Sequence, residues 1–267
     1  MTIQLNPLAS TEQKNLCDTK WGYGRVHQDA RKKFTRSASM VFGDLNNERV
    51  EKFKIFTEDE CAEFRRRIDA GEDILADRDE TLKIMERVFN PELDARLIAF
   101  FNSEYVPEGV QVEKVLPTET PHHSDCWHCD GGPNKQVVMI IYLSPSEADG
   151  ANTVFADPTN TEYLKALGYL FCPIEARVDD LTPLYDHYGL APFEENAIDL
   201  AAGDAVVFQA ANIMHKRSLP KIGPRYVLVV CVLPSPLPWR EACEVKARPF
   251  KIGDQDTFNQ IPEDQLP

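Results

Sequence analysis

The sequence predicts an α+β protein in which helices come first and a jelly roll or barrel of β-strands follows. Between residues 56 and 105, apolar residues recur at helical spacing behind helix-capping signals. After Pro107 the apolar runs become short, rich in β-branched residues and separated by turn residues, which is typical of strands. With 267 residues, the chain is long enough for one large domain of this kind.

The helical part is marked by its ends. Thr57 is placed as an N-cap residue with Glu60 three positions later, which is the pattern of a capping box. The helix that follows meets Gly71, a residue suited to the position after a helix C-terminus. Helical patterns then cover residues 79–89 and 91–105. We therefore expect three helices before the first strand of the β part.

The β part determines the domain organisation. Predicted strands cover residues 110–116, 136–144, 151–157, 204–210 and 225–233. Residues 158–200 interrupt this pattern, and we interpret them as an insertion that carries a short helix and loops. The chain is thus divided into an irregular N-terminal arm over 1–45 and a single domain over 46–267. Within that domain the helices occupy 56–105, and the jelly-roll core occupies 108–235.

The composition excludes several classes of partner. Acidic residues outnumber basic ones by 43 to 29, for a net charge of -14, so we expect no nucleic-acid or membrane partner. The sequence contains no apolar run of about 18 residues, and its start lacks the apolar core of a secretory signal. Seven cysteines do not form a small disulfide framework, which predicts a cytoplasmic protein with reduced thiols. The oligomeric state is left open.

The segment from His122 to Asp130 is rich in metal-ligating side chains. It contains two His-x-Asp pairs, His123 with Asp125 and His128 with Asp130. On a strand, residues i and i+2 point to the same face, so either pair presents an imidazole and a carboxylate to one ion. A third ligand has to come from another strand.

His215 is the best third ligand, because it lies just past the predicted strand 204–210. Two histidines and one carboxylate with open positions form the facial triad of non-haem Fe(II) oxygenases. Ten residues later, Arg225 opens an otherwise apolar strand. A guanidinium at that position needs an anionic partner, and a carboxylate that binds it through two hydrogen bonds is the preferred one.

Over residues 120–234 the sequence resembles the Fe(II)/2-oxoglutarate-dependent dioxygenases, most of all their prolyl-hydroxylase-like and phytanoyl-CoA-hydroxylase-like branches. Six elements occur in the family's order: His128-x-Asp130, the strand ending at Tyr142, residues 150–155, residues 203–208, His215 and Arg225. The resemblance implies a double-stranded β-helix (jelly-roll) core with the N-terminal helices packed on one sheet.

The resemblance also implies the chemistry. Fe(II) is expected on His128, Asp130 and His215, and the co-substrate 2-oxoglutarate on Arg225 and Tyr142. With O₂, such an enzyme hydroxylates an unactivated C–H bond of a small molecule, for example an amino acid or a natural-product intermediate, and releases succinate and CO₂. Related halogenases have Gly or Ala in place of the aspartate, so Asp130 favours hydroxylation, with desaturation or cyclisation left open.

The family order also favours one His-x-Asp pair over the other. A short turn leads from Asp130 straight to the next strand, whereas the pair His123 and Asp125 would leave a second such motif in between. We therefore expect His128 and Asp130 to be the ligands. His122 and His123 are then expected at the rim of the site.

Several alternatives remain at this stage. Cys126 and Cys129 form a Cys-x-x-Cys around His128, which is a zinc-like spacing. A cupin-like metal-binding protein on the same scaffold, or a hydroxylase of protein side chains, is also compatible with the sequence. One departure from the family lies after the arginine. Relatives often have Ser or Thr two or four residues later, where this chain has Val227 and Val229.

Overall fold

The computed structural model describes residues 43–130, 136–146, 150–166, 177–187 and 194–245. Most of the predicted arm 1–45 and part of the predicted insertion 158–200 lie outside these residues.

The described strands form two antiparallel sheets. In chain order they are β1 (Gly43–Asp44), β2 (Val50–Lys54), β3 (Glu104–Val115), β4 (Val137–Tyr142), β5 (Thr153–Phe155), β6 (Asn196–Ala197), β7 (Asp204–Phe208), β8 (His215–Arg217) and β9 (Arg225–Ser235). The large sheet has the order β1-β2-β7-β4-β9-β3, and the small sheet has the order β6-β5-β8. Strands β1 and β2 precede the helices, although the sequence predicted no strand there, and β3 begins before the predicted core boundary at 108.

The helices are α1 (Glu58–Asp69), α2 (Arg78–Val88), α3 (Pro91–Phe101), α4 (Pro158–Ala166), α5 (Thr182–His187) and α6 (Trp239–Val245). The capping box of α1 is confirmed, with both reciprocal bonds between Thr57 and Glu60 present. Helix α3 ends at Phe101, earlier than predicted, because Asn102 adopts a left-handed conformation with φ 53° and turns the chain into β3. No helix in the described part of the chain is long and apolar enough to cross a membrane.

The large sheet separates two apolar cores. Along β4, Val137, Met139 and Ile141 pack against the N-terminal helices on one face. Val138 and Tyr142, which point the other way, pack in a second core shared with the small sheet. This alternation follows from the two-residue period of a strand and buries both faces of β4. The protein is therefore an α+β structure with helices on one face of an antiparallel sheet.

Gly203 holds three strand ends together. Its N–H donates to the carbonyl of Tyr142 at 2.7 Å, and its own carbonyl accepts from the N–H groups of Ile55 and Phe56 at 2.8 and 3.1 Å. Gly203 has φ +85°, and a Cβ at this position would lie 1.9 Å from the Phe56 carbonyl oxygen. Only glycine allows this approach, which joins the end of β4, the start of β7 and the residues after β2.

Candidate metal centre

The structure brings His128, Asp130 and His215, here called the triad, into one cluster. One ligand atom of each lies within 4.8 Å of the others, so these side chains could hold a metal ion together. The Nε2 atoms of His128 and His215 lie 3.5 and 3.8 Å from Oδ1 of Asp130. His128 and Asp130 therefore lie side by side, and His128 makes an isolated β-bridge with His215.

Backbone hydrogen bonds fix the spacing of the triad. His128 N–H donates to the His215 carbonyl at 3.0 Å, and His215 N–H donates to the His128 carbonyl at 2.9 Å. Asp130 N–H donates to the Ala210 carbonyl at 2.9 Å. His215 is the first residue of β8, so the small sheet carries one ligand candidate. Through His215 it also holds the segment that carries His128 and Asp130.

The two imidazole rings are oriented by carbonyl groups. Nδ1 of His128 lies 2.7 Å from the Cys126 carbonyl oxygen, and Nδ1 of His215 lies 3.0 Å from that of Ile213. A carbonyl oxygen only accepts hydrogen bonds, so each Nδ1 carries a proton and donates it. In the neutral rings, the lone pairs of both Nε2 atoms then face Asp130, which is the orientation that metal-binding histidines adopt.

The electrostatics of the triad suit a metal cation. Burial is the largest influence on His215 and, together with the nearby charge of His128, lowers its pKa to about 4. Burial raises the pKa of Asp130, but at the acid pH where Asp130 titrates the hydrogen bond to His128 and the charges of both histidines outweigh burial and lower this pKa to about 2. At neutral pH the triad thus offers a neutral His215 and an ionised carboxylate, the forms that bind metal. The donor set fits Fe(II), which takes two imidazoles and one carboxylate in such sites.

The triad lines a cavity of about 410 Å³ between the two sheets. This volume falls in the range of small-molecule sites. Val138, Ile140, Phe208 and Val229 provide apolar wall, and Arg225 reaches the same cavity from the start of β9. The ligand candidates, an apolar lining and one guanidinium therefore share a single cavity.

Arg225 is buried without an anionic partner among the described residues. It is 2% exposed, and its Nε makes no hydrogen bond. Its Nη2 donates to the Tyr142 hydroxyl over 3.4 Å, and its Cζ lies 5.1 Å from the centre of the Tyr142 ring. No carboxylate of the described residues lies within 4.0 Å of this guanidinium. A buried cation without a counter-charge is costly, so this arrangement is suited to an anionic ligand.

Thr153 adds a hydroxyl that the sequence analysis did not identify. Tyr142 is fully buried, and its hydroxyl accepts from Thr153 N–H at 2.7 Å and lies 3.0 Å from Thr153 Oγ1. Thr153 itself lines the cavity. Strand β5 thus supplies a hydroxyl next to that of Tyr142, whereas Val227 is buried in the apolar core between the sheets. The sequence indicates the position of Thr153 only through the alternation of β5, which places Thr153 and Phe155 on the same face.

The second His-x-Asp pair is not part of the triad. Asp125 is buried, and its Oδ1 accepts from Arg217 Nε at 2.6 Å while its Oδ2 accepts from His122 N–H at 2.6 Å. Both carboxylate oxygens of Asp125 are therefore used by the protein. His122 and His123 are exposed, have ring centres 3.6 Å apart with the rings tilted by 46°, and line the cavity, which places them at its edge.

The cysteines do not form a metal cluster with their neighbours in the described residues. Among the described residues neither Cys126 nor Cys129 forms a disulfide, and Cys129 is buried. Neither belongs to the group of side chains that could hold an ion. Cys231, which the sequence analysis did not single out, lines the cavity from β9.

Comparison with known proteins gives structural similarity only. No family model matches the chain, and no curated protein matches it. Among solved structures, the non-haem α-ketoglutarate-dependent epimerase SnoN from nogalamycin biosynthesis is similar at 15% identity, with 80% of this chain and 84% of that chain covered and a TM-score of 0.46. The non-haem α-ketoglutarate-dependent carbocyclase SnoK from the same biosynthesis has 12% identity, coverage of 82% and 93%, and a TM-score of 0.49.

HygX from Streptomyces hygroscopicus, solved with nickel and 2-oxoglutarate bound, is similar at 10% identity. The alignment covers 73% of this chain and 86% of HygX, with a TM-score of 0.47. At these identities and TM-scores, a function for this chain has to be inferred from the geometry of its own site.

Proposed function

We propose that this protein is an Fe(II)/2-oxoglutarate-dependent oxygenase with a double-stranded β-helix core. Its reaction is the hydroxylation of an unactivated C–H bond of a small molecule, with release of succinate and CO₂. One observation carries the proposal. The cavity that holds two imidazoles and a carboxylate also holds the buried guanidinium of Arg225, whose Nε has no hydrogen-bond partner. A metal site alone does not explain why a cation is buried there.

The triad would hold the metal through His128 Nε2, His215 Nε2 and a carboxylate oxygen of Asp130. Fe(II), once bound, supplies the O₂-activating chemistry that is coupled to decarboxylation of 2-oxoglutarate. The protein's own contribution is orientation. The carbonyls of Cys126 and Ile213 hold the two rings, and the backbone pairing of His128 with His215 sets their separation.

Arg225 and Tyr142 would hold the distal carboxylate of 2-oxoglutarate. The guanidinium offers planar N–H donors that match a carboxylate. The Tyr142 hydroxyl already accepts from Thr153 N–H and from Arg225, so its own proton is available to Thr153 Oγ1 or to a bound carboxylate oxygen. The apolar walls formed by Val138 and Phe208 would exclude water around these bonds and strengthen them.

The test is an assay for 2-oxoglutarate turnover. Purified protein with Fe(II), 2-oxoglutarate and O₂ is screened against amino acids, peptides and natural-product scaffolds, and succinate is measured by mass spectrometry. We expect succinate only when Fe(II) is present, and none from the Asp130→Ala variant. Metal binding without any succinate across the panel would instead favour a cupin-like metal-binding protein. Succinate formed only with peptides would redirect the proposal to a hydroxylase of protein side chains.

A further inference from the structure

We infer that Glu113 anchors a positively charged group of the substrate, so that the substrate is a small molecule with a protonated amine or a guanidinium. This inference rests on the proposed function. It concerns the part of the cavity that is left once the triad and Arg225 have been assigned to metal and co-substrate.

The position of Glu113 follows from the register of the large sheet. Strand β3 is the edge strand beside β9, and Glu113 and Gln111 are the Cα partners of Val227 and Val229. Paired residues of neighbouring strands point to the same face. Val227 and Val229 face the second core and the cavity, and Gln111 and Glu113 accordingly line the cavity as well. A carboxylate therefore faces the same space as the triad from an edge strand.

The negative charge of Glu113 is only weakly neutralised by a nearby cation. Its Oε1 accepts a hydrogen bond from Gln111 Nε2 at 3.0 Å, and its Oε2 lies 3.6 Å from Arg217 Nη1. The same arginine is bound more closely by Asp125, whose Oδ1 lies 2.6 Å from Arg217 Nε. One guanidinium is thus shared by two carboxylates, and the three groups together carry one negative charge. The Glu113 side chain is 31% exposed, which leaves it accessible to a ligand.

The other charges of the cavity cancel when histidines are counted as neutral. Bound Fe(II), Asp130, doubly charged 2-oxoglutarate and Arg225 together carry no net charge. Lys216, a further cation on the wall, pairs with Glu195 at 2.6 Å. Arg177 donates to the His123 carbonyl and does not line the cavity. The Arg177 charge nevertheless acts on Asp130 and His215 from outside the lining. Among the groups that line the cavity, one negative charge is left without a close cation, and it is located at Glu113.

This charge selects among small molecules. A cationic group near Glu113 gains a charge-assisted hydrogen bond, whereas a carboxylate at the same place is repelled in a partly desolvated cavity. Gln111, beside it, offers an amide oxygen that also accepts from an ammonium or guanidinium group. The geometry thus favours small molecules with a cationic group and disfavours those with a carboxylate at this place.

The experiment measures binding of three probes that differ in one group: cyclohexylmethylamine, cyclohexylmethanol and cyclohexanecarboxylate. Protein loaded with Fe(II) and 2-oxoglutarate without oxygen is titrated at low salt in a calorimeter. We expect the wild type to bind the amine about tenfold more tightly than the alcohol, as one charge-assisted hydrogen bond implies, and the carboxylate least tightly. Added salt should reduce this preference.

Variants locate the effect. Glu113→Gln keeps the shape of the side chain and should abolish the preference for the amine while leaving 2-oxoglutarate affinity unchanged. The matched control is Glu104→Gln, at the other end of β3 where Glu104 pairs with Ser235, and it should keep the preference. Equal or undetectable binding of the amine by the wild type, or an unchanged preference in Glu113→Gln, would overturn this inference alone. A wild type that binds neither Fe(II) nor 2-oxoglutarate would overturn the proposed function.

Discussion

Replacing Arg225 by methionine should stabilise the ligand-free protein and at the same time weaken its binding of 2-oxoglutarate. Methionine has a comparable length and carries no charge. The guanidinium is 2% exposed with an unsatisfied Nε, and a buried polar group without a partner costs about 1–3 kcal/mol. Against this stands only the long 3.4 Å bond to Tyr142 and the contact with its ring. We expect a net gain of about 1 kcal/mol, which raises the melting temperature by about 2–4 °C.

The effect of Arg225→Met on the co-substrate has the opposite sign. Two charge-assisted hydrogen bonds to a carboxylate contribute about 1.5–3 kcal/mol each, so their loss should weaken 2-oxoglutarate binding by at least about 100-fold. Thermal denaturation of the ligand-free protein and calorimetric titration of the Fe(II)-loaded protein measure the two effects. Arg240→Met, an exposed arginine outside the cavity, should change neither. A destabilised Arg225→Met variant with unchanged 2-oxoglutarate affinity would refute the reasoning, because it would make Arg225 a purely structural residue.

Two further substitutions test the packing that supports the site, each by urea denaturation. Gly203→Ala places a Cβ 1.9 Å from the Phe56 carbonyl oxygen at φ +85° and should lower the free energy of unfolding by more than about 2 kcal/mol. Gly71→Ala, with φ +79° and no atom within 4 Å, should lower it by about 1 kcal/mol. Equal losses in the two variants would contradict this. Asp125→Asn removes the charge of a buried carboxylate but leaves Arg217 with Glu113 at 3.6 Å, so it should cost about 1–3 kcal/mol. An unfolding midpoint like that of the wild type would show that the pair contributes little.

The local elements with strong signals could be predicted from the sequence. The capping box at Thr57 and the left-handed Gly71 define α1, and the apolar runs that became β4, β7 and β9 are long enough to be recognised alone. Strands β2 and β8 were missed for a physical reason. β2 is VEKFK and β8 is HKR, and both are short and rich in polar residues. Their pairing depends on partners distant in sequence, β7 and β5, which no local pattern reveals.

The residues of the site also divide into those that could be predicted from the sequence and those that could not. The proximity of His128 and Asp130 follows from their i, i+2 spacing, and in the structure the backbone pairing of His128 with His215 brings the expected third ligand next to them. Thr153 and Glu113 were not identified, because only the register between strands brings them to the cavity. Local chemistry could therefore indicate the metal candidates, whereas the residues around the ligand depend on tertiary pairing.

Titration of the metal-free protein with Fe(II) in the absence of oxygen tests the central claim most directly. We predict that the wild type binds one equivalent, and that His128→Ala and Asp130→Ala show no measurable binding at the concentration that saturates the wild type. His123→Ala, the matched change in the other His-x-Asp pair, should bind Fe(II) like the wild type. Full binding by His128→Ala, or loss of binding in His123→Ala, would contradict the assignment of the metal to His128, Asp130 and His215.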